Sequence, residues 1–232
     1  MALRLVAVTY DANDPAQLAA FWSDLLGRPV VPEADGALLP GDAVQVGLRF
    51  VAAAGRPLGS ERSLHLHLTS TSPEDMYQKV RSALDLGARH LDVGQLPEEG
   101  HIVLADPEGN PFCVIPPDSQ FLAGCGLLGE IACDGTAEVG RFWSDALGWP
   151  LVWDQDGETA IQSPAGGTKV AWGGPPVAPK VGTNRQRFDL AAPDVDAAAA
   201  ALVALGATRL GDGDGVVELA DPDGNEFRIA SG

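Results

Sequence analysis

Basic residues are scarce: fifteen Lys and Arg face 32 Asp and Glu, so the 232-residue chain has a formal charge of −17. Such a surface repels phosphate backbones and anionic lipid, which argues against nucleic-acid and membrane partners. Cysteine is scarce too. Cys113, Cys125 and Cys133 make an odd set with no Cys-x-x-Cys spacing. That excludes a disulfide framework and a zinc knuckle and fits reduced thiols in the cytoplasm. No apolar run approaches the roughly 20 residues of a membrane helix. The opening MALRLVAVTYDAND meets acids too early for a signal peptide and reads as a first strand. Gly-rich phosphate loops and Ser-His-Asp signatures are missing as well. What is present is a globular balance, 45% hydrophobic and 20% charged, with 28 Gly and 18 Pro to supply many turns.

The chain also repeats itself. FWSDLLGRPV at 21–30 returns as FWSDALGWPL at 142–151, LDLGARHL at 84–91 as VALGATRL at 203–210, and VLADPEGNPFCVI at 103–115 as ELADPDGNEFRIA at 218–230. Three echoes in one order imply two homologous domains. Their expected extents are 1–118 and 127–232, with a Pro/Gly-containing linker at 119–126.

Within each half one order of elements occurs twice. LRLVAVTYD reads as a strand. Asp14-Pro15 then opens a helix with an N-cap and a first-turn proline, Leu18, Phe21, Trp22, Leu25 and Leu26 follow at helical spacing, and Gly27 ends it. Short strands follow near 29–32, 36–39 and 44–52. The pattern restarts with a strand at 63–70, a helix from Ser72-Pro73 to Gly87, and strands near 88–92, 101–105 and 111–115. Helices near 136–147 and 194–205 repeat it in the second half. DPEGN and DPDGN join the last two strands of each half as tight turns, with Gly at the positive-φ position. The expected class is α+β, with four tandem βαβββ modules.

These modules, with FW-x-x-x-LG after the first strand and DP-[DE]-GN near the end, resemble the vicinal oxygen chelate superfamily. That group includes glyoxalase I, extradiol dioxygenases and bleomycin-resistance proteins. HLHL, LGA and LADPEGNPFCVI are similar to its actinobacterial glyoxalase-like branch. The resemblance implies two half-barrel sheets, each a cup for a small ligand. In metal-dependent members it implies a divalent ion held by His and Glu on facing strands, which polarises a substrate carbonyl. Carried onto this chain, the family's ligand positions fall on Ala7, no acid within AVQVGLRFVA, His65 and Cys113 in the first half. In the second they fall on Leu128, no acid within GTKVAWGG, Arg187 and Arg228. His65 is thus the only retained family ligand position, and two arginines would repel a cation. His65 and His67 share a strand face at i, i+2. His65, His67 and Cys113 form the one unusual set through which the first domain admits a divalent metal; no metal cofactor is favoured.

Trp22 and Trp143 sit on the repeated helix face and belong to the core. The expected lining of the first cup is Tyr10, Phe50, His65, His67 and Cys113; that of the second is Trp153, Trp172, Arg187 and Arg228. The favoured function is binding of a small organic molecule in a cup that has lost the usual metal ligands. The alternative is a metal-dependent lyase, isomerase or dioxygenase acting through the first domain. A cytoplasmic monomer or homodimer is expected.

Overall fold

In the computed structural model residues 3–53, 64–174, 176–177 and 180–232 are described; position 63, the expected start of a strand, lies outside them. Module 1 comprises β1 (Arg4–Ala12), α1 (Pro15–Leu26), β2 (Val31–Glu33), β3 (Gly36–Leu39) and β4 (Gly47–Ala52). Module 2 comprises β5 (Leu64–Leu68), α2 (Pro73–Asp85), β6 (Arg89–His90), β7 (Ile102–Ala105) and β8 (Pro111–Val114). Module 3 runs through β9 (Leu128–Asp134), α3 (Ala137–Leu147), β10 (Leu151–Gln155), β11 (Glu158–Gln162) and β12 (Lys169–Gly173). Module 4 runs through β13 (Gln186–Ala192), α4 (Val195–Leu205), β14 (Thr208–Gly213), β15 (Val216–Ala220) and β16 (Glu226–Ser231).

Local chemistry sets the helix ends. The Asp14 carboxylate accepts from the Gln17 N–H at 3.0 Å, and Thr136 caps α3 in the same way through Val139. Each such cap stabilises its helix by about 1 kcal/mol. Gly27 and Gly148 end α1 and α3 at φ 66°, a left-handed conformation that favours glycine. Gly140 has a different role: a Cβ there would overlap Thr159 and the Trp172 ring, so only glycine lets α3 lie this close to β11 and β12.

The sheets do not follow the halves. Modules 4 and 1 join antiparallel through β13 and β1 into one eight-stranded sheet, ordered β14-β15-β16-β13-β1-β4-β3-β2. Modules 3 and 2 join through β9 and β5 into the other, ordered β10-β11-β12-β9-β5-β8-β7-β6. We call these the outer and inner sheets. Each cup therefore mixes residues from both halves, which overturns the expected division into one cup per half.

The helical cores do follow the halves. Trp22 of α1 meets Phe112 of β8 at 5.1 Å between ring centroids, and Trp143 of α3 meets Phe188 and Phe227 of module 4 at 5.1 and 4.9 Å. Both tryptophans are buried, so truncating either to alanine costs about 3–5 kcal/mol. Their indole N–H groups explain why two of the sequence echoes travel together. Trp22 donates to Asp106 and Trp143 to Asp221, each at 3.3 Å, and these aspartates open the DPEGN and DPDGN turns. The next acid of each turn reaches back to the strand–helix junction. Glu108 accepts from the Asn13 and Asp14 backbone, and Asp223 from Thr136. No helix among the described residues is long and apolar enough to cross a membrane.

Candidate functional site

The inner cup is built on β5. Strand alternation turns His65 and His67 to one face and Leu64, Leu66 and Leu68 into the core. Across the seam, β9 sets Glu130 opposite His67, and on the other flank β8 sets Cys113 opposite the same residue. Glu130 Oε2 lies 2.6 Å from His67 Nδ1. One donor atom each from His65, His67 and Cys113 lies within 4.8 Å of the others.

The two imidazoles differ in charge. Burial and the neighbouring His67 hold His65 down at about 4, so it is neutral at pH 7. Burial alone would lower His67 too, but Cys113 and Glu130 overcome it and hold that ring up at about 9. At neutral pH the floor thus holds an imidazolium–carboxylate pair beside a neutral imidazole. Among the described residues, no hydrogen bond engages the ring nitrogens of His65.

A cavity of about 430 Å³ opens over this floor, bounded by Phe121, Trp153, Ala132, Ala160, Ala171, Asp134 and Glu158 among others. Phe121 comes from the segment between the halves. Lys169 of β12 holds it there, donating to the Phe121 carbonyl and placing its ammonium 4.1 Å from the ring centroid. The Phe121 ring meets Trp153 edge-on at 6.2 Å.

The corresponding face of the outer sheet is filled with charge. Arg187 of β13 pairs with Asp11 at 2.7 Å, Arg49 of β4 pairs with Asp189 and Glu33, and Arg228 of β16 pairs with Glu218. The Thr9 hydroxyl donates to Asp189 at 2.6 Å. The space left is about 220 Å³. Each guanidinium is matched by carboxylates, so the arginines are not free to receive an anion.

The expected site residues are thus redistributed. His65, His67 and Cys113 do come together, and Trp153 joins their cup rather than that of Arg187 and Arg228. Tyr10 and Phe50 line neither cup. Thr9 and Arg49 take the cup face of β1 and β4, so alternation sends their neighbours into the helix-side core, where the two rings pack 5.5 Å apart. Trp172 is buried and packed on Gly140 of α3, yet it also borders the inner cavity. The residue that sequence reasoning missed is Glu130. Tyr10 lies opposite Phe50 and Cys133 opposite Trp172, so the position equivalent to Ala7 is Glu130, not Leu128. The available signal was an acid inside the apolar strand LGEIACD.

The donors are of the right kind for a divalent ion. Two imidazoles and a thiol make a borderline set suited to zinc-like ions, with Glu130 positioned to orient His67.

The fold is shared with solved structures of low sequence identity. Glyoxalase I from Zea mays aligns at TM-score 0.65 and 16% identity, covering 99% of this chain and 92% of that one; its V278E mutant aligns at 0.70 and 15%, with the same coverages. A Bacillus subtilis protein described as a candidate dioxygenase aligns at 0.57 and 12%, covering 98% and 84%. Among curated proteins none matches the sequence. The model of the glyoxalase-like domain matches twice, at residues 7–115 and 130–230. With four βαβββ modules and two cupped sheets, the chain belongs to the glyoxalase-like domain family of the vicinal oxygen chelate superfamily, in two copies.

Proposed function

We propose that the protein binds a small organic molecule in the inner cup, against His65, His67 and Glu130. The observation that supports this is the roughly 430 Å³ cavity whose apolar walls lead down to a charged pair and a free imidazole. Ligand sites have this construction: a mainly apolar concavity with a few convergent polar groups. The formal charge of −17 favours neutral or basic ligands over anionic ones.

A second reading rests on the His65, His67 and Cys113 cluster. These residues would hold a divalent ion, whose chemistry when bound is to polarise a carbonyl oxygen, as a lyase, isomerase or dioxygenase requires. In the protein without metal, His67 holds a proton that an ion would have to displace, so metal uptake should strengthen with rising pH.

A thermal-shift screen tests both. A compound present at a hundred times its Kd stabilises by about 2.7 kcal/mol. Hits should lose their effect in Trp153→Ala and His67→Gln and keep it in Arg228→Lys. Absence of any such hit from a broad library would overturn the binding reading. Zinc titration by calorimetry separates the second reading: uptake abolished by His65→Ala supports it, and no uptake at pH 8 overturns it.

A further inference from the structure

Resting on the assignment of the inner cup as a small-molecule site, we infer that its ligand has a flat aromatic body, uncharged or cationic, with a neutral hydrogen-bonding head group. The register of the sheet gives the shape. His65, Ala132, Ala171, Ala160 and Trp153 stand opposite one another across five adjacent strands. The row spans four strand spacings, about 19 Å. Its three middle positions are alanines; Ala160 is buried, and Ala132 and Ala171 are half-buried, so the accessible floor between His65 and Trp153 carries nothing larger than methyl groups. A planar body lies flat against the Ala132 and Ala171 methyls, whereas a puckered one makes fewer such contacts and forfeits dispersion.

The far wall favours an aromatic ring. Trp153 is 39% exposed at the sheet edge, and Phe121 stands edge-on to it at 81°. Lys169 holds Phe121 through both its carbonyl and its ring, which makes this a fixed wall. A ring on the alanine floor meets the face of one aromatic and the edge of the other, both preferred geometries.

The near end sets the polarity. His65 borders the cavity and no hydrogen bond engages its ring nitrogens among the described residues, so they are left to meet a carbonyl, amide or hydroxyl. Glu130 is already matched by His67, while no cation pairs with Asp134 or Glu158 at the rim among the described residues. Lys169 is committed to Phe121. An anionic ligand would therefore meet uncompensated acids. The same row of the outer cup reads Arg187, Thr9 and Arg49, which leaves no level floor.

Three probes of one outline test this by calorimetry on the full chain at pH 7. They are 2-naphthamide (flat, neutral), decahydro-2-naphthamide (puckered, neutral) and 2-naphthoate (flat, anionic). The flat amide should bind at least tenfold more tightly than either of the others. Ala171→Leu should weaken it at least tenfold by raising a side chain in the floor. Trp153→Ala, a change at an exposed position that leaves the core intact, should weaken it as well. Equal binding of the puckered amide overturns the flat floor, and tighter binding of the naphthoate overturns the charge argument. Failure of all three probes in a protein whose inner cup takes other compounds overturns the ligand class. A cup that takes no compound at all overturns the preceding reading, and this one with it.

Discussion

The two cups have the same strands and opposite interiors. In the inner cup, one row across the central strands reads His65, Ala132, Ala171; in the outer cup the equivalent row reads Arg187, Thr9, Arg49. One floor is small and open, with a buried charged pair at one end. The other is occupied by guanidinium groups, each tied to carboxylates. The difference teaches that a cup in this fold need not be a site. Where ion pairs span the concave face they act as a structural brace between modules, and the proposed binding site lies in the other cup.

The largest test of this contrast is to break the brace. Arg187→Met leaves Asp11 unpaired in a buried position and should cost about 3–5 kcal/mol in urea unfolding. His65→Gln at the equivalent inner position should cost less than about 1 kcal/mol. Equal costs would erase the distinction between brace and site.

Acid–base behaviour should separate the cups next. Unfolded His67 releases its proton near pH 6.5, while the folded ring keeps it to about 9, so stability falls as pH rises through that window. The loss should be on the order of 3 kcal/mol. His65 acts in the opposite sense. Its folded pKa of about 4 lies below the unfolded value, so stability falls as pH drops from 6.5 towards 4. Melting temperature against pH should therefore show a maximum near 6.5 from this pair. His67→Gln should flatten the alkaline limb, and Glu130→Gln should shrink it. An unchanged alkaline limb in both variants would show that the pair is not formed.

The smallest expected effect compares single methyl-scale changes at matched positions. Thr9→Val keeps the shape but removes the hydroxyl that Asp189 accepts, and should cost about 1–2 kcal/mol. Ala132→Val projects into open space and should stay within about 0.5 kcal/mol. Calorimetric melting of the two variants side by side measures the difference.

Much of the architecture was legible from local patterns. The Phe-Trp and Leu-Gly words mark a helix face and its stop, and DPEGN and DPDGN mark turns, because caps, glycine conformations and apolar periodicity are local properties. That the first word's indole donates to the last word's aspartate was not legible, since it depends on packing between modules. Neither was the pairing of β1 with β13 and of β5 with β9: strands of either half satisfy the same alternation whichever partner they take. This is why Trp153 was grouped with Arg187 and Arg228. Residue type alone does not fix which face of a strand is concave, which is why Tyr10 and Phe50 read as cup residues although they pack in the helix-side core. Glu130 was lost to counting. The 121-residue offset of the Phe-Trp echo carries Ala7 to Leu128, whereas the strand pairings carry β1 onto β9 with an offset of 123, Tyr10 to Cys133 and Ala7 to Glu130.

The crossing of sheets between halves bears on symmetry. Two identical copies arranged this way would form two identical cups, and any substitution in the repeat would appear in both. Joining the copies in one chain lifts that constraint. The outer cup draws its seam from the first and last modules and the inner cup from the middle two, so a change in any one module alters one cup and spares the other. Arginines could accumulate in one interior while alanines were kept in the other. The continuous chain is therefore what permits a braced cup and an open cup to coexist in one molecule.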